Sequence, residues 1–298
     1  MYMKNTKYMM AIAIVTSMDF FSAVEIAFFI GKSLTELEIY SIYSIFSILI
    51  FLLEVPTGYI GDKLGYKTSL FLGYLCGIIG TVGFLFGKGF MAMLISYFFM
   101  ALMSSLISGT EEALIYDSLL ECNEEQKFEE IYGKIKAFGY LATIIGSIMA
   151  GFIASYNIQW NAIGNGCMIV LAGFFLWFVR EPVITEKNSK VNTSKFVDIF
   201  EECKGLWCIL FIAGFFMTST LVGTKVAQPI MIAGGIPLTF FGFFSAACSI
   251  INSVASYFTK RLERLSFGII MVFPSIMLLL IGLSQNGILV ILLFLTAA

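Results

Sequence analysis

Long apolar runs alternate with short polar turns along this chain, and run length decides what they are. A helix needs ~20 mostly apolar residues to cross a hydrocarbon core. Six runs of that kind come first, near Met9–Ile30, Leu37–Tyr59, Thr68–Phe86, Phe90–Tyr116, Gly133–Ser155 and Trp160–Val179. The stretch Arg180 to Lys204 is the one long hydrophilic segment. Three more runs follow, near Gly205–Ile232, Leu238–Phe258 and Ser266–Leu283, and a tenth starts at about Asn286 and stops at Ala298. The pattern predicts an all-α membrane protein. It divides into a six-span bundle (residues 1–180), a central linker (181–204) and a partial second bundle of about three and a half spans (205–298), so the chain reads as truncated in its second half.

Composition agrees with the pattern. Hydrophobic residues make up 59% of the chain and charged ones 13%, against ~25% charged in soluble domains. A net charge of -2 with no basic stripe gives no reason to expect nucleic acid. Histidine is absent, which removes histidine general bases and histidine metal ligands. With no Gly-x-x-x-x-Gly-Lys-(Ser/Thr) sequence and no paired-carboxylate motif facing one aqueous pocket, neither nucleotide hydrolysis nor an intramembrane enzyme is expected, and no cofactor. The six cysteines are scattered and read as small apolar residues.

Charge distribution orients the spans, because Lys and Arg accumulate on the cytoplasmic side. Lys4, Lys7, Lys63, Lys67, Lys127, Lys134, Lys136 and Arg180, with the basic residues of the linker and of Lys260–Arg264, fall on one side. Lys32 and Lys88 fall on the other, and Lys225 lies within a span. The amino terminus and the linker are therefore expected in the cytoplasm of a cell whose inner membrane holds the bundle. The turn at residues 62–67 and the one at residues 260–264 each sit two spans into their half, which suggests a parallel repeat.

The turn between the second and third spans reads Gly58-x-x-x-Asp62-Lys63-x-Gly65-Tyr66-Lys67. It resembles the loop signature of the major facilitator superfamily, on the side where that family carries it. Glu54-Val-Pro-Thr-Gly58 and Ser108-Gly-Thr-Glu-Glu-Ala-Leu-Ile-Tyr-Asp-Ser-Leu119 are similar to a bacterial branch of the family. Ser105 stands where that family's proton-driven drug exporters carry an arginine, and the fifth span, Gly146-Ser-Ile-Met-Ala-Gly151, lacks their Gly-Pro signature. The resemblance implies a secondary transporter working by alternating access. It would move a small molecule, an amphipathic compound or short peptide, outward by preference, with a proton or sodium ion as coupling partner. A non-transporting sensor or scaffold, or an inactive truncated remnant, is the alternative.

The resemblance makes Gly58, Asp62, Lys63, Gly65, Tyr66 and Lys67 a gating latch, with Asp117 as a further member of its charge network. Ionisable groups inside spans point to the substrate or ion pathway. These are Asp19 and Glu25 in the first span, Glu111 in the fourth and Lys225 in the seventh. At ~100° per residue, Asp19 and Glu25 stand about 120° apart on a continuous helix. Glu25 and Lys225 occupy equivalent places in the two repeats and are expected to approach each other. Small-residue stripes, Gly73, Gly77, Gly80 and Gly87 in the third span and Gly139, Thr143, Gly146, Ala150 and Ala154 in the fifth, are expected as packing seams.

Overall fold

A computed structural model describes residues 2–182 and 225–262. Residues Met1–Pro182 and Gly235–Ser253 form one compact unit, and Val183–Gly234 with Val254–Ala298 form another. In the second unit, residues 225–233 and 254–262 are helical. The expected linker, most of the seventh run, the ninth and tenth runs, and Glu263–Arg264 of the repeat turn lie outside the described residues.

The helices of the first unit are α1 (Tyr2–Ser17), α2 (Glu25–Gly31), α3 (Glu36–Leu64), α4 (Tyr66–Phe86), α5 (Gly89–Ile107), α6 (Thr110–Leu120), α7 (Phe128–Asn157) and α8 (Gln159–Trp177). A further helix, α9 (Leu238–Leu262), belongs to this unit as far as Ser253. Five described segments are long and apolar enough to cross a membrane: Glu36–Glu54, Tyr66–Phe86, Gly89–Leu120, Glu125–Asn157 and Gln159–Trp177. Each coincides with a run read from the sequence. The turn into α3 is fixed by a capping box, in which Thr35 Oγ1 accepts from the Glu38 N–H and the Glu38 carboxylate accepts from the Thr35 N–H.

The first span departs from expectation. In place of one helix over Met9–Ile30, the chain leaves α1 at Ser17 and re-enters helix only at Glu25. Local side-chain bonding competes with the helix here. Asp19 Oδ1 accepts from the N–H groups of Phe21 and Ser22, at 2.7 and 3.0 Å, and the Ser22 hydroxyl donates to Oδ2. The ~120° helical separation of Asp19 from Glu25 therefore does not apply, since Asp19 is not on a helix. Freed carbonyls in such a break need donors from the protein. Thr143 Oγ1 donates to Ser17 O at 3.0 Å, and Asn161 Nδ2 donates to Phe20 O at 2.7 Å and Ala150 O at 2.8 Å.

The fifth-span stripe is what lets α7 come this close. A Cβ on Gly146 would stand 2.9 Å from Asp19 N, and one on Gly139 would stand 2.9 Å from Ser17 Oγ. Another face of the same helix meets α9, where a Cβ on Gly151 would stand 2.5 Å from Thr239 O and Ser147 Oγ lies 3.2 Å from Ser245 Oγ. In the third span, Gly73, Gly77 and Gly80 are buried, and Cβ atoms at Gly73 and Gly80 would press on Ile107 and Ser96 of α5.

Two clusters hold the bundle together. Towards one end, Met9, Leu70, Leu114, Ile135, Ile169 and Leu176 pack where α1, α4, α6, α7 and α8 converge. Towards the other, Phe21, Phe28, Phe29, Phe84 and Tyr97 stack or meet edge to face. At this second end Lys32 Nζ donates to Leu85 O at 2.9 Å, closing the last turn of α4. Burial first, and the Lys88 ammonium second, push the Lys32 pKa below the ordinary lysine value. Phe51, Leu52, Phe86, Trp160 and Trp177 are exposed large apolar side chains, and the two tryptophans stand at opposite ends of α8, as membrane-interface anchors do.

Replacing Asn161 by Ala removes the side-chain donor from Phe20 O at the break and from Ala150 O of α7, a loss of about 1–3 kcal/mol for a buried group left unpaired. SDS-induced unfolding in detergent micelles should show that drop. An unchanged midpoint would mean that something other than Asn161 holds the break.

Candidate functional site

The fourth span is also divided. α5 ends at Ile107, Gly109 takes φ 72°, and α6 begins at Thr110. Glu111 and Glu112 then fall in the first turn of α6, where free N–H groups and the helix dipole favour negative charge. The two carboxylates take different partners. Glu111 Oε1 accepts from the hydroxyl of the buried Tyr74 on α4 at 3.3 Å. Glu112 accepts from the Tyr132 hydroxyl on α7.

A cavity of about 210 Å³ lies between α1, α6 and α7. Thr16, Ser17, Glu111, Tyr132, Lys136 and Thr143 supply its polar lining, and Met9, Ala13, Ile115 and Ile135 its apolar walls. The sequence counts Lys136 on the cytoplasmic side, near the start of the run Gly133–Ser155. Because α7 begins at Phe128, it sits two turns inside a helix, with Nζ 4.9 Å from the centre of the Tyr132 ring. Its ammonium feels the charges of Glu111 and Glu112. Among the described residues no ion pair within 4 Å joins Lys136 to either carboxylate; those present are Lys127–Glu124 and Lys134–Glu130.

Glu25 opens α2 and is 8% exposed. Tyr43 OH donates to its Oε2 at 3.0 Å and Tyr97 OH donates to its Oε1, so α2, α3 and α5 meet on one carboxylate. Asp19 is turned onto its own backbone at the break. Lys225 is half-buried at the start of the helical stretch 225–233, in the second unit. Within the first unit Asp19, Glu25 and Glu111 thus keep separate partners, and Glu111 faces the cavity between α1, α6 and α7.

The turn at Gly65–Lys67 is tied down by partners from the fourth and sixth spans. Glu181, just past α8, accepts from the N–H groups of Tyr66 and Lys67 at 2.6 and 2.8 Å, capping α4 with a carboxylate. Gly65 holds φ 89°, and a Cβ there would stand 2.8 Å from Glu181 Oε1; any other residue is strained and crowded at this position. Lys67 Nζ donates to Trp177 O and Val179 O at 2.9 and 2.8 Å, neutralising the carbonyl end of α8. Tyr66 OH donates to Asp117 Oδ2 at 2.8 Å. Asn5 of α1 completes the brace, donating to Ser118 Oγ and Arg180 O and accepting from the Arg180 N–H.

All these bonds stay inside one bundle. Lys63 lies 4.6 Å from the centre of the Tyr59 ring, and Gly58 is exposed with open space at its α-carbon. Asp62 lies in the last turn of α3. Glu181 and Asn5 were not among the residues picked from the sequence. Glu181 had been counted with the polar linker, and only its return to the turn gives it a task.

Residues 9–298 match the family model of the Major Facilitator Superfamily. An uncharacterised MFS-type transporter of Bacillus subtilis (strain 168), YxaM, is 26% identical over 260 residues, 83% of this chain and 63% of the relative's own length. Among solved structures, a mutant of the nucleoside transporter NupG superposes with a TM-score of 0.77 at 12% identity, over 98% of this chain and 78% of that one. A D-xylose–proton symporter superposes with a TM-score of 0.61 at 14% identity, over 99% and 79%. Likeness at that identity concerns the fold alone.

Changing Glu181 to Ala removes the cap of α4 and should cost about 0.5–2 kcal/mol, read as a lower thermal midpoint in detergent. Glu181→Gln, which keeps one acceptor, should fall between. Equal midpoints for all three proteins would contradict the brace.

Proposed function

The chain belongs to the Major Facilitator Superfamily, and from that premise we propose that it is part or all of a secondary transporter that moves a small molecule across the cytoplasmic membrane by alternating access. The observation that carries this reading is Glu111, an ionisable group on a cavity wall beside a break in its own helix. An intramembrane carboxylate is costly to keep unless it serves an ion or a substrate. Broken helices in a membrane persist where they line such a path. Coupling to a proton or sodium gradient and outward movement of a small amphipathic solute complete the proposal.

The turn from Gly58 to Lys67 has two tasks in this reading. Tyr66, Lys67, Asp117 and Glu181 keep the inner end of the bundle as one body. Gly58, Asp62 and Lys63 supply the contacts that change with state. α6 links the two regions, since Glu111 lies on its first turn and Asp117 and Ser118 lie near its last. A change at the cavity then tilts the same rod that anchors the brace. The proposal puts the amino terminus in the cytoplasm, a reading supported by Lys67 and Arg180 sharing the braced end of the bundle while Lys32 lies at the other.

Flux assays in proteoliposomes test the function. Interior dyes report proton or sodium entry while nucleosides, pentoses, amino acids and dipeptides are offered under imposed gradients. Gradient-driven flux should appear with at least one class, and Glu111→Gln should lower it tenfold or more. No coupled flux with any class would remove the transport reading. In intact cells, a cysteine replacing Lys88 should react with an impermeant maleimide and one replacing Lys127 should not; the reverse pattern would invert the orientation.

A further inference from the structure

The cavity between α1, α6 and α7 holds one carboxylate and one ammonium that face it without closing on each other. Glu111 is occupied on one oxygen by a neutral hydroxyl at 3.3 Å, a long bond for an oxygen donor. Lys136 rests over Tyr132 and hydrogen-bonds to its side chain, whose hydroxyl donates to Glu112. Each charge is therefore held by a tyrosine that positions it but does not neutralise it. Two opposite charges free to meet would quench each other and leave little for a ligand. Held apart across a polar cavity, they are complementary to a molecule that carries both signs.

From this geometry, and resting on the transporter reading above, we propose that the cavity is a subsite for a small zwitterion of amino-acid size with an apolar side chain. Its ammonium takes the place of the Tyr74 hydroxyl at Glu111, and its carboxylate reaches Lys136. Both contacts become charge-assisted, roughly twice as strong as neutral hydrogen bonds. Size fits as well: the 210 Å³ of the cavity is below the ~300–1,000 Å³ of sites that enclose drug-sized ligands. Met9, Ala13, Ile115 and Ile135 give an apolar side chain a wall to rest on. Desolvating both ends of a zwitterion is favourable only where both find partners, so a ligand missing either charge leaves one buried group unpaired.

Protection from alkylation tests this independently of transport. In the full chain with Ala13→Cys, the rate of N-ethylmaleimide modification at residue 13 is followed by peptide mass spectrometry while L-leucine, L-leucinamide or N-acetyl-L-leucine is titrated. Leucine should protect at a concentration at least tenfold lower than either single-charge analogue. Lys136→Gln should bring leucine to the level of leucinamide, and Glu111→Gln should bring it to that of N-acetylleucine. Equal protection by leucine and leucinamide, or by none of the three, would overturn the proposal, and this comparison needs no variant beyond residue 13. Zwitterion protection without any coupled flux keeps the subsite and removes the transport reading. Coupled flux of other solutes without such protection does the opposite.

Discussion

Backbone polar groups inside a bilayer must be satisfied by the protein, and the bundle is arranged around one place where the helix does not satisfy them. Between Ser17 and Glu25 the first span abandons its ladder. An unpaired amide in hydrocarbon costs roughly 2–7 kcal/mol, so the break survives only because Thr143 and Asn161 reach the freed carbonyls and Asp19 collects two N–H groups. Those bonds require α7 and α8 to lie close, which Gly139 and Gly146 permit. Ser17 and Thr143, bonded partners at the break, also line the cavity. The constraint that holds the first span thus shapes one wall of the site.

The fourth span repeats the theme at Ser108–Gly109, with the opposite consequence for charge. Its second segment, α6, starts beside the cavity with two glutamates and ends in the brace with Asp117 and Ser118. Eleven helical residues extend ~16 Å, about half the hydrocarbon thickness. In the proposed transporter, binding at Glu111 and fastening at Asn5 and Tyr66 therefore act on two ends of one short rod.

Run length made the spans legible in the sequence. The expected third span, Thr68–Phe86, lies within α4, and the expected sixth overlaps α8 almost entirely. The break in the first span was not legible, because residues 18–24 contain neither glycine nor proline and the donors that replace the helix come from residues more than a hundred positions away. The one local signal was Asp19 followed three residues later by Ser22, a pairing suited to a turn as much as to a helix. Glu111 could be chosen because a carboxylate in an apolar run stands out. Lys136 was not, since counting lysines by side records only which interface each stands near. Glu181 was hidden for a similar reason: its charge reads as solvated linker until α8 returns it to the amino end of α4.

The direct test of the cavity as the working centre is its accessibility from each side of the membrane. In proteoliposomes of known orientation, a cysteine replacing Ala13 can be probed with an impermeant methanethiosulfonate from outside and from inside, under inward and outward proton or sodium gradients. Alternating access predicts reactivity from both sides, with the preferred side exchanging when the driving gradient is reversed. Reactivity from one side alone, unmoved by any gradient, would contradict it.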